Sequence, residues 1–168
     1  LVATTRQAID DAVEHLGRRA AEITAAGIVT QRSTVVCWDR ISGDALSPAI
    51  SWQDRRNATW LGKFAVRADE IRRKTGLVLS PHYGASKLRW CLDHLSAVKR
   101  AAAAGRLAAG PLSSFLAFRL LEGNPLLVDP ANASRTLLYD PSTLDWSPEL
   151  LDLFEIPRAI LPTPCATL

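Results

Sequence analysis

The sequence predicts a layered α/β domain. Three observations carry this: stretches with apolar residues at the three-to-four spacing of amphipathic helices, short β-branched and aromatic runs between them, and few long loops. From Thr4 to about Ala25, Ile9, Val13, Leu16, Ala20 and Ile23 share one helical face, and Gly27 supplies a stop. Ile28–Gln31 and Thr34–Trp38 then read as strands, Asp39–Asp44 with Ser42 and Gly43 as a turn, and Ala49–Trp52 as the end of a small strand cluster.

A second long helix is expected over Asp54–Lys74, because Leu61, Phe64, Ala68 and Ile71 fall on one face and Gly76 stands where a left-handed cap belongs. Pro81 interrupts the chain, and Leu88, Cys91, Leu92 and Leu95 predict a third helix over Ala85–Leu95. Ala101–Gly105 reads as a helix end, and Pro111–Leu121 as a further helix carrying Leu112, Phe115, Leu116 and Leu120. Asn132–Asp140 is read as a helical turn, capped by Asn132, that passes into a short strand, after which Asp140, Pro141 and Ser142 turn the chain. Ser147, Pro148 and Glu149 open the last helix with a capping hydroxyl, a proline at the first position and an acid in the first turn; Pro157 ends it.

With 168 residues, 48% of them hydrophobic and 22% charged, the chain can bury one sizeable core, and its composition is that of an ordinary globular domain. The net charge of +3 is spread over the Arg18–Arg19, Arg55–Arg56 and Arg72–Lys74 groups inside helical patterns, which reads as solvated helix faces. No basic surface interleaved with aromatics is visible, so nucleic acid is not an expected partner. Cys37, Cys91 and Cys165 lack the paired spacing of a zinc site or a disulfide framework, and no metal site is expected; reduced thiols point to the cytoplasm. No run of about eighteen uncharged apolar residues occurs, so a membrane is not an expected partner either. The sequons at Asn57 and Asn132 accordingly read as without meaning for glycosylation. The chain contains no methionine and opens straight into a helical pattern, and is read as a segment of a longer protein.

Motifs of known chemistry are sparse. Gly105 and Gly110 have P-loop spacing, but Pro111 and Leu112 occupy the positions where Lys and Ser/Thr would reach phosphate and Mg²⁺. Neither GxGxxG nor GxSxG occurs, and Ser96–Lys99 matches SxxK without its companion motifs. His82 and His94 are isolated histidines, more simply read as hydrogen-bonded structural residues. Composition and spacing by themselves reach an α/β domain and no further.

A resemblance carries the functional expectation. Gly27–Asp39, with its Gln-Arg-Ser-Thr run and Cys-Trp-Asp ending, is similar to the Gln-Arg-Glu-Thr segment and Val-Trp-Asp ending of glycerol kinases. In the same order follow Trp52–Arg56, similar to a Trp-Gln-x-Arg-Arg run, then Lys74–Leu77, Lys87–Trp90, Asn132–Leu138, Thr143–Trp146 and Phe154–Pro157. These collinear blocks cover almost the whole chain, which thereby resembles the FGGY family of carbohydrate kinases. The resemblance implies an actin-like, ribonuclease-H-like fold, present here incompletely: residues 1–168 would be the middle portion of the N-terminal, sugar-binding domain. The phosphate-binding N-terminal strands, the segment bearing the Asp general base and the C-terminal nucleotide domain would lie elsewhere. ATP and Mg²⁺ are the implied cofactors of the longer protein, no catalytic residue is expected in this chain, and the segment alone is expected to be inactive.

For the substrate site the resemblance implies Arg32 and Trp52, with Gln53 and Asp54 adjoining. Ser33 stands where glycerol kinases carry a Glu, and His82 where they carry a Tyr, so a sugar or polyol other than glycerol is expected. Charged and amide groups would grip hydroxyls while an indole packs against the C–H face. Arg135 is read as structural. Competing readings are a non-catalytic sugar-binding or regulatory module and, since kinases of this family often associate, a piece that forms a homo-oligomer.

Overall fold

Five consecutive buried residues form β1 (Val35–Asp39), and the alternation of a strand sends them to two different cores. Val35 and Cys37 join the larger core and Val36 and Trp38 the smaller one. In the computed structural model, which describes residues 1–167, β1 pairs antiparallel with Leu107–Pro111 in the register Val35↔Pro111 to Asp39↔Leu107. With helices on both faces, this ribbon is the middle of three layers.

Ahead of it, helix α1 (Val2–Leu16) ends at Gly17, whose φ of 54° breaks the helix short of the expected Ala25, and a 3₁₀ turn over Gly17–Glu22 follows. None of the residues of α1 is buried, and Ile9 and Val13 stay about half exposed. The strand expected over Ile28–Gln31 is not formed, because its backbone meets no partner strand among the described residues; Val29 is 97% exposed. The strand expected over Ala49–Trp52 is reduced to a single bridge between Val35 and Ile50.

The single helix expected over Asp54–Lys74 is instead three pieces: α2 (Ala58–Gly62), a 3₁₀ turn at Ala65–Arg67, and α3 (Ala68–Thr75). Gly62 weakens the middle of the pattern, and the two halves bury against different neighbours. Trp60 and Phe64 stack on Phe154, whereas Ile71 and Thr75 enter the core directly. Gly76 caps α3 in the left-handed conformation as expected, at φ 72°.

Helices α4 (Gly84–His94) and α5 (Ser96–Ala103) follow, then the second strand of the ribbon, β2 (Leu107–Pro111), and α6 (Leu112–Leu120). In α6, Leu112, Phe115, Leu116 and Phe118 close the smaller core over Trp38. The remaining chain makes β3 (Leu127–Val128), α7 (Pro130–Ala133), the hairpin β4 (Tyr139–Asp140) and β5 (Asp145–Trp146), α8 (Pro148–Leu153), and β6 (Thr163–Pro164), which runs parallel to β3. Asp129, not Asn132, caps α7: its carboxylate accepts from the Asn132 amide at 2.9 Å and from the Asn132 side chain at 2.8 Å. Asn132 cannot cap a helix in whose body it lies. Ser147 caps α8 as expected, accepting from the Leu150 amide, and Glu149 pairs with Lys74 of α3 at 2.9 Å. No helix is long and apolar enough to cross a membrane among the described residues, and all three cysteines are free.

Candidate functional site

The site is built from three chain crossings at one end of β1. Just before the strand, Ser33 takes φ 66°, a left-handed turn that is costly for a residue with a Cβ, and buries its side chain. The turn throws Arg32 and Gln31 outward. Val35 and Ile50 exchange both backbone hydrogen bonds, at 3.1 and 2.9 Å, and Thr34 Oγ1 accepts from the Trp52 amide at 3.2 Å. These bonds fix the indole beside the arginine.

The third crossing is the loop from Leu77 to Tyr83 that precedes α4. Lys87 of α4 is buried, and its ammonium donates to the carbonyls of Pro81, His82 and Tyr83 at 2.8, 2.6 and 3.0 Å. One side chain thereby ties down the loop that carries His82. Burial lowers the Lys87 pKa from its ordinary 10.5 to about 8, partly opposed by Asp54. Gly84 lets α4 approach closely: a Cβ there would come within 3.3 Å of Val35 and of the Thr136 backbone. The His82 ring lies 5.2 Å from the Trp52 ring and 5.0 Å from Tyr83, and the Arg135 guanidinium lies 4.9 Å over Tyr83.

The resulting depression, of about 250 Å³, is lined by Gln31, Arg32, Trp52, His82 and Arg135. A second one, of about 340 Å³, shares Trp52 and His82 with it and adds Gln53, Arg55, Ser80 and Pro81. Arg32, Trp52 and His82 are thus brought together, with Gln53 on the adjoining wall. Ser33 and Asp54 line neither depression. Ser33 is 2% exposed and its hydroxyl has no partner, while both oxygens of Asp54 are held by the Arg56 guanidinium at 2.6–2.9 Å. That hydrogen-bonded pairing also holds the Asp54 pKa below the usual carboxylate range.

Sequence reasoning passed over Gln31 and Arg55 and read Arg135 as structural, whereas Arg135 lines the depression. The first two flank residues already singled out; Arg135 lies in the Asn132–Leu138 block, but its spacing does not say where it goes, and the tertiary approach of its 3₁₀ turn to Tyr83 delivers it. His82 is held below its ordinary pKa by burial first, then by Arg135 and Lys87, and so presents a neutral ring. His94, by contrast, is exposed and stacks on Trp90 at 5.0 Å, away from the depression.

A three-layered α/β chain with a polar and aromatic depression at one end of its central strands belongs to a known class. Residues 1–166 match the N-terminal domain of the FGGY family of carbohydrate kinases, and the chain belongs to that family, with its actin-like, ribonuclease-H-like fold. It is 45% identical over 161 residues to glycerol kinase 1 of Pseudomonas aeruginosa, covering 95% of this chain and 33% of that protein. To the glycerol kinase of Gluconobacter oxydans it is 47% identical over 145 residues, covering 85% and 28%. Among solved structures, the Plasmodium falciparum glycerol kinase with ADP superposes with a TM-score of 0.78 at 34% identity, over 84% of this chain and 28% of that one. A xyloylose kinase from Brucella ovis shares the fold, with a TM-score of 0.81 at 22% identity, over 98% of this chain and 33% of that one. The chain therefore spans about a third of the length of the relatives it matches.

Proposed function

We propose that this chain supplies the acceptor side of an ATP-dependent kinase that phosphorylates a hydroxyl of a small sugar or polyol, and that it forms the middle portion of the sugar-binding domain of that enzyme. What supports the reading is one juxtaposition: a guanidinium, an indole and a neutral imidazole, from three separate chain segments, line one small open depression. Such a set can donate to hydroxyls, accept from one, and cover a C–H face. Arg32, Trp52 and His82 make these contacts in the proposal, with Gln53 on the adjoining wall. Ser33 acts by turning the chain, and Asp54 holds Arg56, whose guanidinium lies over Trp90 outside both depressions.

ATP and Mg²⁺, which the family implies, do not fit the residues present. Among the described residues no group of three acidic, His or Cys side chains could hold a metal, and the Gly110 backbone faces Pro162, 3.1 Å from where a Cβ would stand, rather than an open cradle. No step through the nucleotide is derived from this chain. The free cysteines fit a reducing, cytoplasmic setting.

Turnover decides the proposal. The full-length protein carrying this chain, given ATP, Mg²⁺ and a panel of polyols, ketoses and aldoses, is expected to release ADP with at least one of them. Arg32→Ala should lower kcat/KM for the best substrate by about thirtyfold, the equivalent of about 2 kcal/mol for a charge-assisted hydrogen bond. Ligand binding without any ADP release would support the non-catalytic sugar-binding module instead.

A further inference from the structure

Lys87 is 1% exposed, and its ammonium meets three carbonyls in a row, those of Pro81, His82 and Tyr83, at 2.8, 2.6 and 3.0 Å. A protonated amine carries three N–H donors and no acceptor, so donors and acceptors match one for one. A neutral amine has two donors and a lone pair, and one of the three carbonyls would then be left unanswered in a largely buried setting. The loop that carries His82 is therefore built around the charged form. Asp54, which supports the charge on Lys87, belongs to the same short segment as Trp52. The Trp52 and His82 walls of the depression, with rings 5.2 Å apart, thus converge on one buried side chain.

The other charged and titratable groups around Lys87 are few. His82 and Tyr83 sit on the loop it holds, and Arg135 on the 3₁₀ turn packed against α4. β1 brings the Cys37 thiol, bonded to Cys91, and Asp39, paired with Arg106; α5 brings Lys99 and Arg100, both exposed; α2 and β2 bring none. We propose that Lys87 is a positioning residue for the acceptor: charged, it sets His82 against Trp52 and so shapes the wall on which a hydroxylated carbon chain lies, and its discharge frees the loop and weakens acceptor binding. This rests on the kinase reading of the same site. Burial brings the discharge within reach, lowering the Lys87 pKa from 10.5 to about 8 against the pull of Asp54. Losing the proton relieves a buried charge but strands one carbonyl, so the fold accepts the neutral form while the loop relaxes. Acceptor affinity is then full below about pH 8 and falls above it, and an acceptor that binds at higher pH draws a proton onto Lys87.

The test uses the full-length protein at saturating ATP and Mg²⁺, with glycerol, ribitol, fructose and glucose as acceptors between pH 7 and 9.5. For the best of the four, KM is expected to rise about tenfold across that range while kcat changes by less than about twofold. Lys87→Arg, whose guanidinium stays charged throughout, should abolish the rise. Lys87→Met should show the high KM already at pH 7, with no further change. A KM that stays flat in the wild type overturns the inference. So does a rise that Lys87→Arg retains, which assigns it to another group, or a Lys87→Met variant that loses kcat and keeps KM, which makes the lysine structural only. If neither variant folds, calorimetric titration of the wild type with the same acceptor at pH 8.5, in two buffers of different ionisation enthalpy, decides: proton uptake on binding upholds the inference, and none overturns it. If none of the four acceptors leads to release of ADP, that result counts against the kinase reading alone. The same four compounds titrated without nucleotide then decide: affinity that falls from pH 7 to 9.5 in the wild type but not in Lys87→Arg upholds the positioning role, and any other result ends it.

Discussion

Lys87 shows how one side chain can govern a site it never lines. Its ammonium gathers three successive carbonyls and thereby fixes His82 opposite Trp52. Because burial lowers its pKa from 10.5 to about 8, the folded chain binds fewer protons than the unfolded chain between those values, so this group's contribution to stability rises with pH across that window. Below about pH 8 it is charged in both states and the slope disappears. Measured by urea unfolding, the wild type should gain on Lys87→Met as the pH climbs from 8 to 10; a flat or falling difference would show that the lysine is not desolvated. Residues of this kind are poorly legible in sequence. Lys87 was visible only as part of a Lys-Leu-Arg-Trp block, whereas Arg32 and Trp52 were named by resemblance and do share a depression. Ser33 was placed beside them for the same reason, yet its positive φ buries it, a backbone property that no spacing rule reports.

At the level of elements, the ends marked at Gly76 and Ser147 were easier to read than the interior between Asp54 and Lys74. Ser147 was legible because its signal is local: the hydroxyl, the proline and the acid all act within one turn. Ser147→Ala should cost about 1 kcal/mol and lower the melting midpoint by about 3 °C, checked by thermal unfolding followed by circular dichroism. The interior of Asp54–Lys74 failed for the opposite reason. Its apolar residues do keep helical spacing, but Trp60 and Phe64 turn toward Phe154 while Ile71 turns into the core, and the backbone bends to serve both. Strand β2 went unread because Leu-Ala-Ala-Gly-Pro has weak strand propensity; its pairing with β1 makes it a strand.

For the whole molecule, two cores on either side of the β1–β2 ribbon hold the three layers together. Phe154 links the broken helix to the larger core through Trp60 and Phe64, at ring separations of 6.0 and 5.1 Å, and is fully buried. Phe154→Ala should therefore cost about 4 kcal/mol, a large share of the roughly 5–15 kcal/mol that a domain possesses, and shift the urea midpoint accordingly. A cost below about 1 kcal/mol would mean that the two helix halves do not depend on this junction. The sequence by itself determined the α/β class, the caps at Gly76 and Ser147 and the family, since each is written in local chemistry or in a collinear order of residues. Only the tertiary structure decided that Arg135 joins Arg32, that Ser33 and Asp54 leave the depression, and that Ile28–Gln31 stays unpaired. These outcomes depend on which distant segments meet, and contact across the chain is set by packing and strand pairing rather than by the spacing of neighbours along it.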